Sequence, residues 1–345
     1  MNKRWIYIPL VLLVLFATAF TAIKIKENYW DYPDYWPVPV YDFEKNPVTE
    51  EGFQLGRKLF YEPDFSRDGT ISCASCHLQA TGFTHVDHDL SHGIEGRIGK
   101  RNSLALMNLA WNKSFMWDGG VNHMDMQALQ PITSEDEMDS SLKEVVKKLN
   151  TSSKYRKLFY KVFKDSIITG QHTLKALSQF TISLNSYTSK YDKYIRKEDN
   201  VTFTDQEKSG LELFKNNCSS CHKAPLFTTT DFKNNGLLLD TTLNDYGRYG
   251  ITKNHADSLK FKVPTLRNIQ FTAPYMHDGR FESLREVLDH YVNAVNHNKT
   301  TDSIIKDIKL SQNNKTDLLV FLKTLSDFEF LYDKRYSFPR VKPKP

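Results

Sequence analysis

The sequence predicts a mostly α-helical chain in two halves, and three observations carry that reading. Apolar residues recur at i, i+3, i+4 and i+7 in several stretches, the period of a helix with one buried face. The strict apolar–polar alternation of half-buried strands is scarce. One five-residue pattern appears once in each half, as Cys73-Ala74-Ser75-Cys76-His77 and as Cys218-Ser219-Ser220-Cys221-His222. With 345 residues, the chain is long enough for each half to bury its own core.

Taken in order, the chain begins with the short basic region Asn2-Lys3-Arg4, after which Trp5 to Ile23 runs without a charge until Lys24 and Lys26. That run just reaches bilayer-spanning length, so residues 1–26 read as a signal anchor or a signal peptide. Length and flanks favour the anchor, whereas Ala17-Thr18-Ala19 has the small residues of a cleavage site. Positive charge before the run puts the N-terminus inside and everything after Lys26 outside the cytoplasmic membrane. The expected location is periplasmic, with residues 5–23 as the anchor. Residues 27–47 are rich in proline and aromatics, such as Trp30, Pro33, Trp36 and Pro37, and read as an extended linker.

A weak internal repeat follows. Leu55-Gly56-Arg57-Lys58-Leu59-Phe60 precedes the first five-residue pattern and Ser209-Gly210-Leu211-Glu212-Leu213-Phe214 precedes the second, each reading as a short helix leading into it. Thr204 and Glu207 supply a capping box for the second helix. Between them, Leu142, Val145, Val146 and Leu149, then Tyr155, Leu158, Phe159, Val162 and Phe163, mark two amphipathic helices. Another apolar helix spans about Leu174 to Leu184, and the polar run from Thr188 to Asn200 is read as the domain boundary. The expected domains are therefore 48–195 and 196–345. In the second, Ser283 and Glu286 cap a helix with Leu284, Val287, Leu288 and Tyr291 on one face, and Leu318, Leu319 and Leu322 mark a terminal helix.

Composition narrows the function classes. Hydrophobic residues make up 40% and charged residues 25% of the chain, the balance of a soluble globular protein rather than a disordered one. The net charge is +5, and the Lys and Arg residues are dispersed, which gives nucleic-acid binding no support.

The repeated pattern carries the chemistry. A CxxCH sequence reads as a c-type haem attachment site: two thiols form thioethers to the macrocycle and the adjacent histidine ligates the iron from the proximal side. The cofactors are thus two covalently bound haems, one at Cys73, Cys76 and His77, the other at Cys218, Cys221 and His222. A zinc ribbon would place its CxxC pairs roughly 15–20 residues apart and a thioredoxin motif would need a βαβ context; neither is present. The two copies use all four cysteines, so no disulfide remains. Each half begins like a small helical cytochrome c.

An open haem can bind a small oxidant, and splitting an O–O bond needs a base to move a proton between the oxygens. The stretch after the first motif is dense in polar and aromatic residues, and it offers Glu137 and, second to it, Gln127. Residue type alone does not select either, since most Glu and Gln side chains are solvated surface groups.

Several blocks together make a resemblance specific. These are the two CxxCH motifs, Lys100-Arg101-Asn102-Ser103, Phe115-Met116-Trp117-Asp118-Gly119, Gln127-Ala128, Pro131, Glu137-Met138, Pro264-Thr265-Leu266-Arg267-Asn268 and Thr272-Ala273-Pro274-Tyr275-Met276-His277-Asp278-Gly279. Over roughly residues 50 to 330 the chain resembles the bacterial di-haem cytochrome c peroxidases, the family that also contains MauG. The resemblance implies that hydrogen peroxide is reduced at the first haem, in a peroxidatic 48–195 domain, with Glu137 as acid/base and Gln127 in the same pocket. Electrons would come from a small cytochrome c or cupredoxin, enter at the second haem in the 196–345 domain, and cross by Trp117. It also implies a calcium ion held by Asn102 and the backbone carbonyls of Thr272 and Pro274, a chemically sensible hard-oxygen set. Family members are often homodimers, and the sequence carries no interface signature for one.

Two departures leave alternatives open. Many of these peroxidases have a His-Gly before the Arg-Asn block whose histidine caps the first haem; here His92-Gly93 lies two residues further from Arg101 than that pattern expects. His85 and His88 are nearby alternatives, and a solvated loop histidine is a reading of equal standing. The second concerns the sixth ligand of the second haem. The peroxidases place a methionine where this chain has Tyr291, as MauG does, and Met276 is the other candidate. A MauG-like oxidase acting on a partner protein and a non-catalytic electron-transfer cytochrome are the rival functions.

Overall fold

A computed structural model describes residues 30–339. The expected membrane anchor, and the first residues of the expected linker, lie outside the described residues. Helix is the dominant regular structure, and the sheet is confined to Phe232–Lys233 paired antiparallel with Phe261–Lys262.

The internal repeat has a structural meaning. In the first half, helix Glu50–Phe60 packs on helix Gly170–Ile182; in the second, helix Asp205–Asn217 packs on helix Gln312–Lys323. The repeated glycine is the contact point. A Cβ at Gly56 would overlap the Ala176 carbonyl and crowd Phe180, and one at Gly210 would overlap the Asp317 carbonyl and crowd Phe321. Gly therefore lets two helix backbones approach where any side chain would hold them apart. Around these crossings lie two aromatic clusters, one with Phe53, Phe60, Phe83 and Phe180 and the other with Phe203, Phe214, Phe227 and Phe321.

The helices expected at 142–149 and 155–163 form as Leu142–Thr151 and Ser153–Phe163, with Ser141 accepting from Glu144 N–H and Ser152 from Tyr155 N–H. The Thr204/Glu207 and Ser283/Glu286 capping boxes are both closed. Four local features differ from the expectations. Helix Asp205–Asn217 runs directly into Cys218, but after Phe60 a short turn at Pro63–Phe65 intervenes before the one-turn helix Cys73–Cys76. The polar run at 188–200 contains a helix, Lys190–Arg196, because Ser189 and Asp192 cap it reciprocally. The Leu284–Asp289 helix widens into a π turn, His290–Ala294, that carries Tyr291. A further helix, Phe328–Tyr332, follows the expected terminal one.

That last segment turns back to the first half: Gln79 donates to the Asp333 carbonyl at 2.7 Å and Tyr61 to the Tyr336 carbonyl at 2.8 Å. Residues 32–47 form neither helix nor strand and lie along the folded body. Trp111 Nε1 donates to the Pro37 carbonyl at 2.7 Å, and the Trp36 ring faces the Arg267 guanidinium at 4.7 Å. The described residues from Tyr32 onward thus form one compact unit.

Candidate functional site

The first five-residue motif opens on a cavity of about 450 Å³. The turn Cys73–Cys76 is capped by Ser72 and Ser75 and brings both thiols inward. Burial pushes the Cys73 thiol up to about 12 and the Cys76 thiol to about 11, so neither is a free thiolate in this environment. His77 Nδ1 lies 2.7 Å from the Phe83 carbonyl. A carbonyl only accepts, so Nδ1 carries the hydrogen and Nε2 keeps its lone pair for a metal. Burial depresses His77 to about 4, which keeps the imidazole neutral, the form that ligates.

Gln127 and Glu137 stand on the wall of that cavity together with Cys76, His77 and Trp117. Gln127 ends the short turn Met124–Met126, and Glu137 is fixed by its backbone, donating to the Ser134 carbonyl and accepting from Ile94 N–H at 2.8 Å. Burial, helped by Asp136, raises the Glu137 carboxyl to about 7, while a hydrogen bond from Gln130 pulls it back. A carboxyl so placed exchanges a proton near neutral pH. His92 lines an adjoining recess with Cys73, Cys76 and Glu137. His85, His88 and His92 form a contiguous row, with ring centroids 5.0 and 3.9 Å apart. Among the described residues the buried His85 has no hydrogen-bond partner on either ring nitrogen, and burial depresses it to about 4.

The second motif has the same inner logic. His222 Nδ1 lies 3.2 Å from the Phe227 carbonyl and 3.1 Å from that of Pro264, so Nε2 is again free for a metal, and burial depresses the ring to about 4. Its cavity, about 190 Å³, has a wall of Leu284, Val287, Leu288, Ile305, Leu318 and Leu322. Tyr291 and Met276 both reach it. Asn235 lies between them: its Nδ2 is 3.3 Å from Met276 Sδ, and its amide also hydrogen-bonds the Tyr291 phenol. Burial pushes Tyr291 up to about 12 against the Asn235 contact.

Trp117 belongs to the walls of both cavities. Its Nε1 donates to the Asn102 carbonyl at 2.8 Å, its own carbonyl accepts from Lys262 N–H at 2.7 Å, and its ring meets His277 edge-on with centroids 6.5 Å apart. Asn102 is buried beside Pro274; its Nδ2 donates to the Pro274 carbonyl while its Oδ1 is buried without a partner. A half-turn of the amide would aim Oδ1 at that carbonyl, and two facing oxygens are what a hard cation resolves. Asn102, Pro274 and the adjacent Thr272 therefore fit the calcium set in chemistry. Among the described residues no group of three His, Cys, Asp or Glu converges for a metal ion, so a cation site here draws on amide and carbonyl oxygen.

Some wall residues escape sequence reasoning. Gln130 reaches Glu137 from a position that reads as solvated, and Asn235 sits in Asn234-Asn235-Gly236, which reads as a turn. Lys262 is 7% exposed and lines both cavities; its place between Phe261 and Val263 was the available signal. Arg101 is spent on Asp118 and Asp245, each at 2.6 Å.

Known proteins resemble the chain in sequence and in fold. A family profile described as di-haem cytochrome c peroxidase matches residues 50–200. The methylamine utilization protein MauG of Methylorubrum extorquens is 34% identical over 291 residues, 81% of this chain and 79% of that protein. Cytochrome c551 peroxidase of Nitrosomonas europaea is 31% identical over 284 residues, 81% of each. A solved MauG-like protein associated with microbial copper homeostasis matches with a TM-score of 0.82 at 32% identity, covering 90% of this chain and 99% of that one. Two paired motifs, two cavities and a tryptophan common to both, with relatives matched over most of their length, place this chain in the di-haem cytochrome c peroxidase and MauG family.

Proposed function

We propose that the chain is an exported di-haem c-type peroxidase that reduces hydrogen peroxide to water at the Cys73–His77 cavity, with a small cytochrome c or cupredoxin as donor. The observation that carries this reading is Glu137, a partly buried carboxyl with a pKa raised to about 7 on the wall shared with Cys76 and His77. Cys73 and Cys76 would hold a haem with His77 as an iron ligand, and that group would supply the redox chemistry for cleaving the O–O bond. Glu137 takes the proton from one peroxide oxygen and returns it to the other as water leaves. Two electrons and two solvent protons complete the conversion of one peroxide to two waters. Gln127 orients the peroxide by hydrogen bonding. Cys218, Cys221 and His222 hold the second haem, and Trp117 carries electrons between the cavities.

Asn102, with the carbonyls of Thr272 and Pro274, holds calcium where it fixes the segment behind Trp117. His92 stands in the recess adjoining the first cavity as the candidate closing ligand, and the first haem is open at rest with His92 unbound. Residues 5–23 tether the protein to the outer face of the cytoplasmic membrane.

The test is peroxide-dependent oxidation of reduced cytochrome c by the haem-loaded protein. Turnover, with a high-spin ferric signal at rest, is the expected result; a protein with no high-spin haem and no turnover sinks the reading. Tyr291 at the second cavity favours one alternative, an oxidase that withdraws electrons from a partner protein as its MauG relatives suggest. Slow cytochrome oxidation together with long retention of peroxide's two oxidising equivalents would select it.

A further inference from the structure

Lys262 has no role in the peroxidase mechanism above, yet it is buried at the junction of the two cavities and lines both. Strand pairing with Phe232 and the hydrogen bond from its N–H to the Trp117 carbonyl fix its backbone against the tryptophan. The ammonium is poorly served by protein. Its Nζ has one long contact, 3.5 Å to the Ser114 carbonyl, and among the described residues no carboxylate lies within ion-pair distance of it. The neighbouring acid, Asp118, is committed elsewhere: it accepts from Arg101 at 2.6 Å and from Gly120 N–H at 2.8 Å. The other basic group on the wall of the second cavity, Lys233, is already paired with Asp302 at 2.7 Å. Burial lowers Lys262 to about 8, with Asp118 opposing, so it stays charged at neutral pH.

A buried ammonium without a counter-charge is unfavourable unless a ligand supplies one. The family's cofactors bring suitable anions, because each haem carries two propionate carboxylates. We infer that Lys262 is a carboxylate-binding residue for haem propionate at the junction of the two cavities, and that its positive charge raises the reduction potential of the haems it faces. The inference rests on the two-haem reading. It assigns Lys262 a positioning and electrostatic role beside Trp117, outside the set that touches peroxide. A cation beside a carboxylate reduces the field that would otherwise favour ferric over ferrous iron.

The experiment is a spectroelectrochemical titration of the holoprotein and of Lys262→Met, Lys262→Gln and Lys262→Arg. Haem content of the unsubstituted protein is measured first by mass; absence of two attached haems would reject the two-haem reading itself. With both haems in place, Met and Gln should lower at least one midpoint potential, and Arg should restore it. Loss of haem loading in Met and Gln but not in Arg supports the same ion pair. Charge-free and charge-keeping variants that behave alike, in loading and in potential, overturn the inference and leave Lys262 as packing.

Discussion

The cavity beside Cys76 and His77 measures about 450 Å³ and carries Glu137, Gln127 and Gln130 on its wall, whereas that beside Cys221 and His222 measures about 190 Å³ and has a large aliphatic wall, with Tyr291, Met276, Asn235 and the paired Lys233 and Asp302 among its polar lining. Both histidines are held alike, Nδ1 to a backbone carbonyl. The motif therefore does not distinguish the two sites; the side chains facing it do. A carboxyl with a raised pKa beside one site, against an aliphatic wall whose carboxylate, Asp302, is held in an ion pair by Lys233 beside the other, separates proton-coupled chemistry from electron supply.

The sharpest way to break this comparison is Glu137→Gln, which keeps the shape and removes the ionisable proton. Peroxide turnover should fall by about 10²–10⁴-fold while both haems remain attached. In the unsubstituted protein the accepting form is the carboxylate, so the rate should rise as pH passes upward through about 7. That limb should vanish in the variant. Unchanged turnover would remove Glu137 from the mechanism and with it the functional contrast between the cavities.

How far the sequence reveals this contrast depends on distance along the chain. Helices at 142–163 and around 174–184 follow from local periodicity, and both capping boxes follow from a four-residue pattern. Gly56 and Gly210 are visible as a repeat, but their reason, contact with Ala176 and Asp317, is long-range. Glu137 and Trp117 enter through their motif blocks. Gln130, Asn235 and Lys262 lack such blocks: Gln130 acquires its role when the chain turns back to Glu137, Asn235 and Lys262 only when distant segments close over them. Asp192 is the clearest case: in a polar run it reads as surface, yet it is fully buried against Arg267.

That ion pair gives the next contrast. Arg267 contacts Asp192 with both terminal nitrogens, at 2.7 and 2.8 Å, and also donates to the Pro225 carbonyl in the loop after His222. The first half uses an amide-centred network instead, with Gln179 donating to Asn46 at 3.0 Å and Asn46 to the Lys175 carbonyl at 3.1 Å and to Asp125 at 3.3 Å. Arg267→Met strands a buried carboxylate and should cost about 3–5 kcal/mol in chemical denaturation, against about 1–3 kcal/mol for Asn46→Ala, which takes the acceptor from Gln179 Nε2 while Thr49 still bonds its Oε1. Burial pushes Asp192 up, but Arg267 outweighs it and holds the carboxyl below its usual range. The native pair thus adds stability above the unfolded carboxylate pKa and loses it as pH falls through the lower folded value. In Arg267→Met, acid should recover part of the loss by neutralising Asp192. Equal costs in the two halves would erase the distinction.

A smaller effect is expected at the wall of the second cavity. Tyr291→Phe removes one of two candidate oxygen or sulfur ligands and leaves Met276 beside Asn235. If the phenol ligates, the low-spin spectrum of the second haem should change to that of thioether or open coordination, and its potential should rise. The first haem's spectrum should stay the same. A spectrum unaltered at both haems assigns Tyr291 to packing and gives the ligand role to another group.

The smallest and most local test concerns Gln130, which touches Glu137 from the rim of the first cavity. Its hydrogen bond favours the charged carboxylate, opposing the burial that raises the pKa. Gln130→Ala should therefore move the pH limb of peroxide turnover upward. A single hydrogen bond of about 0.5–1.5 kcal/mol corresponds to roughly one pH unit or less. Above the limb, where Glu137 is ionised in both proteins, the rates should converge, because the group that moves the proton is intact. A downward shift would mean that Gln130 stabilises the neutral acid; a fall in rate at every pH, with the limb in place, would make Gln130 a contact to peroxide, and the first cavity would then be distinguished by its amides as much as by its carboxyl.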